Sequence, residues 1–405
     1  MVRRAGGLTR GTAANRQNDR VSRLSERHRQ PASTAAVLVA GTLPNRLLRA
    51  GLAGAAAWSS LATASALLRT YPLAVDLQIP MQAAERWIHG AAPYLASSFQ
   101  VTDGTGQPFL YPPFLLPVLA PFAIMSQGIV TLAWALVCVS AAAWTCRRLG
   151  IPWWAWPFVL AWPPFAEALL GLNVQVLLFA AYVALFFDPP VGAARLRDHE
   201  LAGDSRPAIV DGSLGVIVAI LKTSQIHSWV YLLRRRRRAA VLGVAAAALF
   251  VLVTLPLTGL GLWVDWLEQL RRAAQPGLAV GGISLQHLVP LPVGLAISAA
   301  TVLLVFAVPR RHAGAWIGLL TLVGSPDLHV FGLLFALPAI LTVRREVGLA
   351  AAFAIGLYTT EGSWVGVGLV AGALLLSARW EGLLEPRVPG HARGTPEDHR
   401  AQGAG

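Results

Sequence analysis

From Leu47 to Ser377 one apolar segment follows another almost without pause. The segments are 47–69, 110–126, 127–146, 153–170, 172–187, 211–233, 239–259, 293–309, 313–328, 330–343, 346–359 and 363–379. A bilayer core of about 30 Å takes roughly 20 helical residues. The longer segments meet that length, and the shorter ones read as re-entrant pieces or as helices packed against protein. Only 13% of the 405 residues are charged, about half the share in a soluble globular protein. A soluble enzyme is excluded, and so is disorder for most of the chain. The expectation is an all-α polytopic membrane protein, a bundle of about 12 transmembrane helices with two structured outer loops. Residues 47–379 form this domain, between a disordered basic cytoplasmic arm (1–46) and a disordered tail (380–405).

The net charge of +13 invites a nucleic-acid partner until it is located. Residues 1–49 hold ten Arg against Asp19 and Glu26, and with Arg234–Arg238 they carry the whole excess. Two basic patches beside apolar runs are topology signals, so no nucleic-acid role is expected. With the arm in the cytoplasm and twelve crossings, Arg234–Arg238, Arg310–Arg311 and Arg344–Arg345 fall inside. Loops 70–109 and 260–292 fall outside, and Arg147–Arg148 is the exception, landing outside. Making 110–126 re-entrant repairs that pair but misplaces Arg234–Arg238. The arm is too long for a cleaved leader, and no convincing cleavage site follows Leu47–Leu68. The abundance of Ala, Gly and Arg suggests a GC-rich bacterial genome. The expected location is a bacterial plasma membrane, multi-pass, with both termini cytoplasmic.

Repeated prolines (Pro112, Pro113, Pro117, Pro121; Pro152, Pro157, Pro163, Pro164) predict broken helices around a cavity. In loop 70–109 a short helix is expected from Ala83 through Ile88, ending at Gly90. Loop 260–292 opens with Trp263, Trp266 and Leu267 between Asp265 and Glu268, an interface-seeking pattern. Cys138 and Cys146 share one apolar segment and have no metal-ligand spacing, so they are packing residues.

Asp76 is the first candidate for chemistry. It lies where the first helix emerges, among apolar neighbours, and partial desolvation there favours a general base. Asp is also a good helix N-cap, and both roles stand. Lys222, the single lysine, sits in an apolar run and is followed by Thr223, Ser224, Gln225 and His227. A charge at that depth is costly. Either it snorkels or the helix breaks and presents it to an anion such as phosphate. Asp327 and His329 stand between two apolar runs at the outer face, with Gln286 and His287 a weaker pair. His serves as acid, base or phosphate donor near neutral pH. Asn173 and Gln175 place two amides in an apolar stretch, where they bind a sugar hydroxyl or hold helices together. Asp76 has no second carboxylate at ligand spacing, Glu85 being nine residues on, and no metal is called for. No phosphate-binding Gly-rich loop, nucleophile elbow or zinc-protease motif occurs.

The order of these features resembles the polytopic GT-C glycosyltransferases, and within them family 87, the polyprenol-phosphate-mannose-dependent α-(1→2)-mannosyltransferases. Asp76-Leu77 precedes a short helix and Gly90-Ala91-Ala92-Pro93-Tyr94, like the family's Asp, helix and Gly-x-x-Pro-Tyr. Tyr111-Pro112-Pro113 matches its Tyr-Pro-Pro segment, and Gly171–Gln175 is a variant of its amide segment. Lys222 matches its lysine, although Gln225 stands where the family has proline. Ser284-Leu285, Ser325-Pro326 through His329, and Leu337-Pro338-Ala339 match later signals.

The resemblance implies a GT-C-like bundle that moves a hexose, mannose by family, from a polyprenyl-phosphate-linked sugar donor to a glycolipid or glycan acceptor. The site would face outward, in the lipid bilayer and without cofactor. Asp76 would take the acceptor proton and the configuration would invert. Lys222, His329, Arg86 or Arg271 would meet the leaving phosphate, and Tyr111, Asn173, Gln175, His227, Gln286, His287 and Asp327 would line the substrate site. Two other classes fit parts of the pattern. A secondary transporter or lipid flippase accounts for the many segments and the buried lysine, but no internal repeat is present. A non-catalytic membrane scaffold would retain the pattern without the chemistry.

Overall fold

The computed structural model describes residues 33–95, 108–188, 207–221, 225–273 and 282–384. The chain divides into two compact units, Met1–Gly51 and Leu52–Gly405. In the first, residues 33–51 are helical. The helices are α1 (Ser33–Thr70), α2 (Val75–Ile88), α3 (Leu115–Ala123), α4 (Gln127–Arg148), α5 (Trp156–Leu160), α6 (Pro163–Leu170), α7 (Gln175–Phe186) and α8 (Ala208–Leu221). They continue as α9 (Ile226–Arg235), α10 (Arg237–Ala273), α11 (Leu291–Leu304), α12 (Ala313–Gly324), α13 (Leu337–Thr342), α14 (Arg345–Gly356) and α15 (Thr360–Leu384). Among the described residues there is no β-strand. α1 begins at Ser33 and α15 runs to Leu384.

Four helical stretches are long and apolar enough to cross a membrane: Asn45–Ile88, Gln127–Arg148, Arg237–Ala273 and Thr360–Ala378. The expected count of about twelve crossings is not established, because most other helices are short. Proline and glycine shorten them. Segment 153–170 is a 3₁₀ turn (Trp153–Ala155) followed by α5 and α6, which begin at or beside Pro157 and Pro163. Segment 330–343 is likewise a 3₁₀ run, Val330–Ala336, leading into α13 at Pro338.

Two expected segments have a different form. Segment 110–126 holds only the nine-residue α3, about 14 Å long. Segment 211–233 is two helices, α8 and α9, which pack against each other. α8 is described as far as Leu221 and α9 from Ile226, so the break expected around Lys222 falls on undescribed residues. Lys222, Thr223 and Ser224 themselves lie outside the described residues.

This course gathers the arginines at one end of the second unit. The Arg148 Nε donates to Phe187 O (2.7 Å) at the end of α7, and Phe187 packs on Gly314 at the start of α12. Arg234 donates to Val305 O and Val308 O (3.1 and 3.0 Å), closing the helix that ends there. The buried Asp211 pairs with Arg236. Gly212 on α8 meets the backbone of Ala239 and Gly243 on α10, an approach that only small residues permit. Arg147–Arg148 therefore shares its end with Arg234–Arg238 and the Arg310–Arg311 turn. Segment 110–126 holds only the short α3, and segment 211–233 is two helices, which is compatible with that shared end.

The main core lies between the ends, around Phe165, Phe179, Tyr182, Phe186 and Phe335. The Tyr182 hydroxyl, fully enclosed, donates to Gly314 O. On the outside, Leu249, Leu252, Val253 and Leu257 of α10 are exposed, the face expected toward lipid.

Candidate functional site

At the end opposite the arginines, the start of α2 docks on the turn after α6. Ala74 N donates to Leu170 O (2.8 Å), and Asp76 N and Leu77 N donate to Gly171 O (3.0 and 3.3 Å). Amides that a helix N-terminus leaves orphaned are thus satisfied by another segment. Asp76 lies in the first turn, one residue beyond Val75 and not at the capping position, which Ala74 occupies. Its carboxylate packs on Gly171: a Cβ built there would overlap Asp76 Oδ2 and stand 3.1 Å from its Cγ. The Tyr71 hydroxyl reaches Oδ2 at 3.5 Å.

A second carboxylate stands here, contrary to expectation. Glu167 is buried on α6, one turn before Gly171, and accepts a 3.0 Å hydrogen bond from the Tyr358 hydroxyl. Tyr71 is under the electrostatic influence of Asp76, Glu167 and Tyr358 together. Residue spacing near Asp76 did not reveal Glu167, because the fold supplies it from ninety positions away. A signal existed nonetheless: Glu167 is the lone charged residue between Arg148 and Asp188, and such a residue is a functional candidate by default.

Backbone strain concentrates at the same place. Ala74 (φ 61°), Leu172 (φ 53°) and Tyr358 (φ 58°) adopt the left-handed conformation, three of the four non-glycine residues that do so among those described. Such strain costs of order 1–3 kcal/mol per residue and persists where surrounding structure enforces it. Ala74, Leu77 and Leu172 pack with Val130 of α4, and the Trp134 indole donates to Leu172 O (2.9 Å).

Tyr111 links this cluster to a second one. Burial, then the negative charges of Asp76 and Asp327, push its phenol well above the ordinary tyrosine value. The Tyr111 ring packs on Phe109, and its carbonyl accepts from the Tyr94 hydroxyl (2.8 Å). The end of α10 holds this loop: Trp266 donates to Leu110 O (2.9 Å) and Gln269 to Leu95 O (3.2 Å). The interface-seeking segment is therefore part of α10, bent at Gly259 (φ 69°), and it clamps the backbone at Leu95 and Leu110.

Asp327 and His329 form the second cluster, with Nε2 to Oδ1 at 3.1 Å and His329 stacked on Phe331. They border a small cavity with Gln175, Gln225, Thr321 and Ser325. The cavity wall is fixed by Ser284 Oγ donating to Ser325 O (2.7 Å) and Ile283 N to Leu328 O (2.6 Å).

The remaining candidates divide. Asn173 Oδ1 accepts from the Gln175 amide (2.8 Å) at the start of α7, which is a helix-start role. His227 Nε2 meets Thr301 Oγ1 (3.0 Å) beside Gly324, in the wall behind Ser325. Arg86 is ten residues along α2 from Asp76, about 15 Å, and donates to Pro93 O (3.0 Å). It holds the turn that Gly90 (φ 72°) makes possible and is not brought to Asp76. The expected short helix is in fact the whole of α2, Val75–Ile88. Arg271 is engaged by Glu268 (2.7 Å). Gln286 and His287 fall on a 3₁₀ turn, Leu285–Leu288, but their side chains, like Lys222, lie outside the described residues. Among the described residues no three His, Cys, Asp or Glu side chains group as metal ligands.

Tyr358 is also raised, first by burial and then by Glu167. Both phenols stay neutral and able to donate through the neutral range. The unfolded chain ionises its tyrosines near pH 10. Stability from Tyr111 and Tyr358 is full below that pH and is lost as pH rises from there through the raised folded values. An alkaline absorbance titration is expected to show both phenols ionising only with unfolding. Tyr111→Phe and Tyr358→Phe should each remove amplitude from that late phase and none from the early one.

The family model for glycosyltransferase family 87 matches residues 109–296. The match takes in Tyr111, Glu167, Asn173, Gln175, Lys222 and Gln225; Asp76, Asp327 and His329 lie on either side of it. Neither the curated proteins nor the solved structures contain a match. The resemblance read from the sequence is thus borne out between Phe109 and Ala296, where the chain is similar to glycosyltransferase family 87; its described residues are all-helical, with membrane-type helices.

Proposed function

We propose that the protein transfers a hexose, mannose by family resemblance, from a polyprenyl-phosphate donor to a glycolipid or glycan acceptor at the outer face of a bacterial plasma membrane. Asp76 is the general base. The acceptor oxygen attacks the anomeric carbon and passes its proton to Asp76. The bond from that carbon to the phosphate oxygen breaks, its electron pair leaves with the phosphate, and the anomeric configuration inverts. His329, oriented by Asp327, and Lys222 meet the phosphate charge. The observation that carries this reading is the strained junction that sets Asp76 on Gly171 beside Tyr71 and Glu167. The gathering of arginines at the opposite end supports the orientation, with that end cytoplasmic.

Purified protein in lipid vesicles, given polyprenyl-phosphate-[¹⁴C]mannose and a mannosylated lipid acceptor, is expected to form a new glycosidic bond. Movement of the labelled donor across the bilayer without a new bond would replace this reading with that of a transporter. Neither transfer nor movement would leave a scaffold.

A further inference from the structure

The cavity beside Asp327 and His329 contains two side chains that the transfer step does not use. Gln175 is 1% exposed and Gln225 is 2% exposed, and both line the cavity. The Oε1 of each is buried without a hydrogen-bond partner. Burying an amide oxygen unmatched is costly, so two of them at one cavity point to a ligand group that completes them. They come from different helices: Gln175 opens α7 after the Gly171 turn, and Gln225 stands at the cap position of α9. Ser325 and Thr321 add hydroxyl-bearing side chains to the lining.

The chemistry of the lining selects the ligand group. An amide turned end over end presents NH₂ in place of oxygen. A hydroxyl both donates and accepts, so it satisfies either orientation. A phosphate oxygen only accepts, so it satisfies just one of those orientations. We propose that Gln175 and Gln225 form a sugar-hydroxyl subsite that reads the carbohydrate, next to His329 and distinct from the base. This deepens the proposed function and rests on it for the identity of the substrate. Gln225, the departure from the family pattern, thereby acquires a role in specificity.

The test uses Gln175→Met and Gln225→Met in the full-length protein in vesicles. Each is expected to lower kcat/KM about 10- to 100-fold, the effect of losing one or two hydrogen bonds to substrate. Thermal stability should hold or rise, because a buried polar group without a partner is removed. Monodeoxy mannosyl donors and monodeoxy acceptors then locate the hydroxyl. One deoxy compound should lose as much on the wild type as the variant loses on the full substrate, with no further loss when the two are combined. If that compound is a donor, the subsite holds the transferred sugar; if an acceptor, it holds the acceptor sugar. Unchanged kinetics in both variants would overturn the proposal. So would equal loss for every deoxy compound together with lower stability, the signature of amides that only hold helices. Should the wild type transfer nothing, the proposed function fails separately. Saturation-transfer NMR with methyl α-mannoside then decides the subsite: binding lost in Gln225→Met supports it, and no binding by the wild type overturns it.

Discussion

Gly171→Ala is expected to reduce sugar transfer by about 100-fold or more, the cost of displacing a catalytic group by roughly 1 Å, while the protein remains folded. The backbone at Gly171 (φ −70°, ψ −14°) is one that alanine adopts freely. The obstacle is the Asp76 carboxylate, which an added methyl group would overlap. The carboxylate can only swing away, because its own helix is pinned by Asp76 N and Leu77 N on Gly171 O. Gly128→Ala serves as control, since a Cβ there meets nothing within 4 Å. Equal activity in Gly171→Ala and Gly128→Ala would mean that the position of Asp76 on Gly171 is irrelevant to the reaction. Because both changes act on one group, adding Gly171→Ala to Asp76→Asn should cost little more than Asp76→Asn alone.

A larger loss is expected from Asp76→Asn. Asparagine preserves size and the packing on Gly171, and it still accepts from the Tyr71 hydroxyl, but it cannot take a proton from the acceptor. General-base assistance contributes about 10²- to 10⁴-fold, so kcat should fall within that range. Donor affinity should change less than threefold in comparison. In the proposed mechanism the phosphate and lipid tail carry that affinity through groups other than Asp76.

Much of the site was legible before any fold was known, and the reasons are physical. Asp76, Asp327 and His329 stand out because ionisable groups are rare among apolar neighbours, and all three lie at one end of the helical body. Tyr111 was placed by family resemblance, and in the structure it feels the charges of both Asp76 and Asp327. Glu167 obeys the same rarity rule but is reached only through the pairing of α2 with the turn after α6, which residue spacing does not encode. Arg86 misled. It was named for the leaving phosphate, whereas α2 carries it about 15 Å from Asp76, where it donates to Pro93 O.

Hydropathy marked nearly every helix but not where each one ends. A run of apolar residues looks alike whether it forms one long helix or two packed helices such as α8 and α9. Helix-breaking residues and paired arginines carry that information, and Arg147–Arg148 was the exception to twelve crossings. The clamp of Trp266 and Gln269 was hidden in the same way. Those side chains look interface-seeking in isolation, and only the bend at Gly259 turns them onto Leu110 and Leu95.

The central claim is tested most directly by measuring donor binding and single-turnover transfer side by side in wild type and Asp76→Asn. Both proteins are reconstituted in the same vesicles with polyprenyl-phosphate-[¹⁴C]mannose. The account predicts donor binding retained and transfer lost by at least about 100-fold. Transfer at the wild-type rate in Asp76→Asn would contradict it.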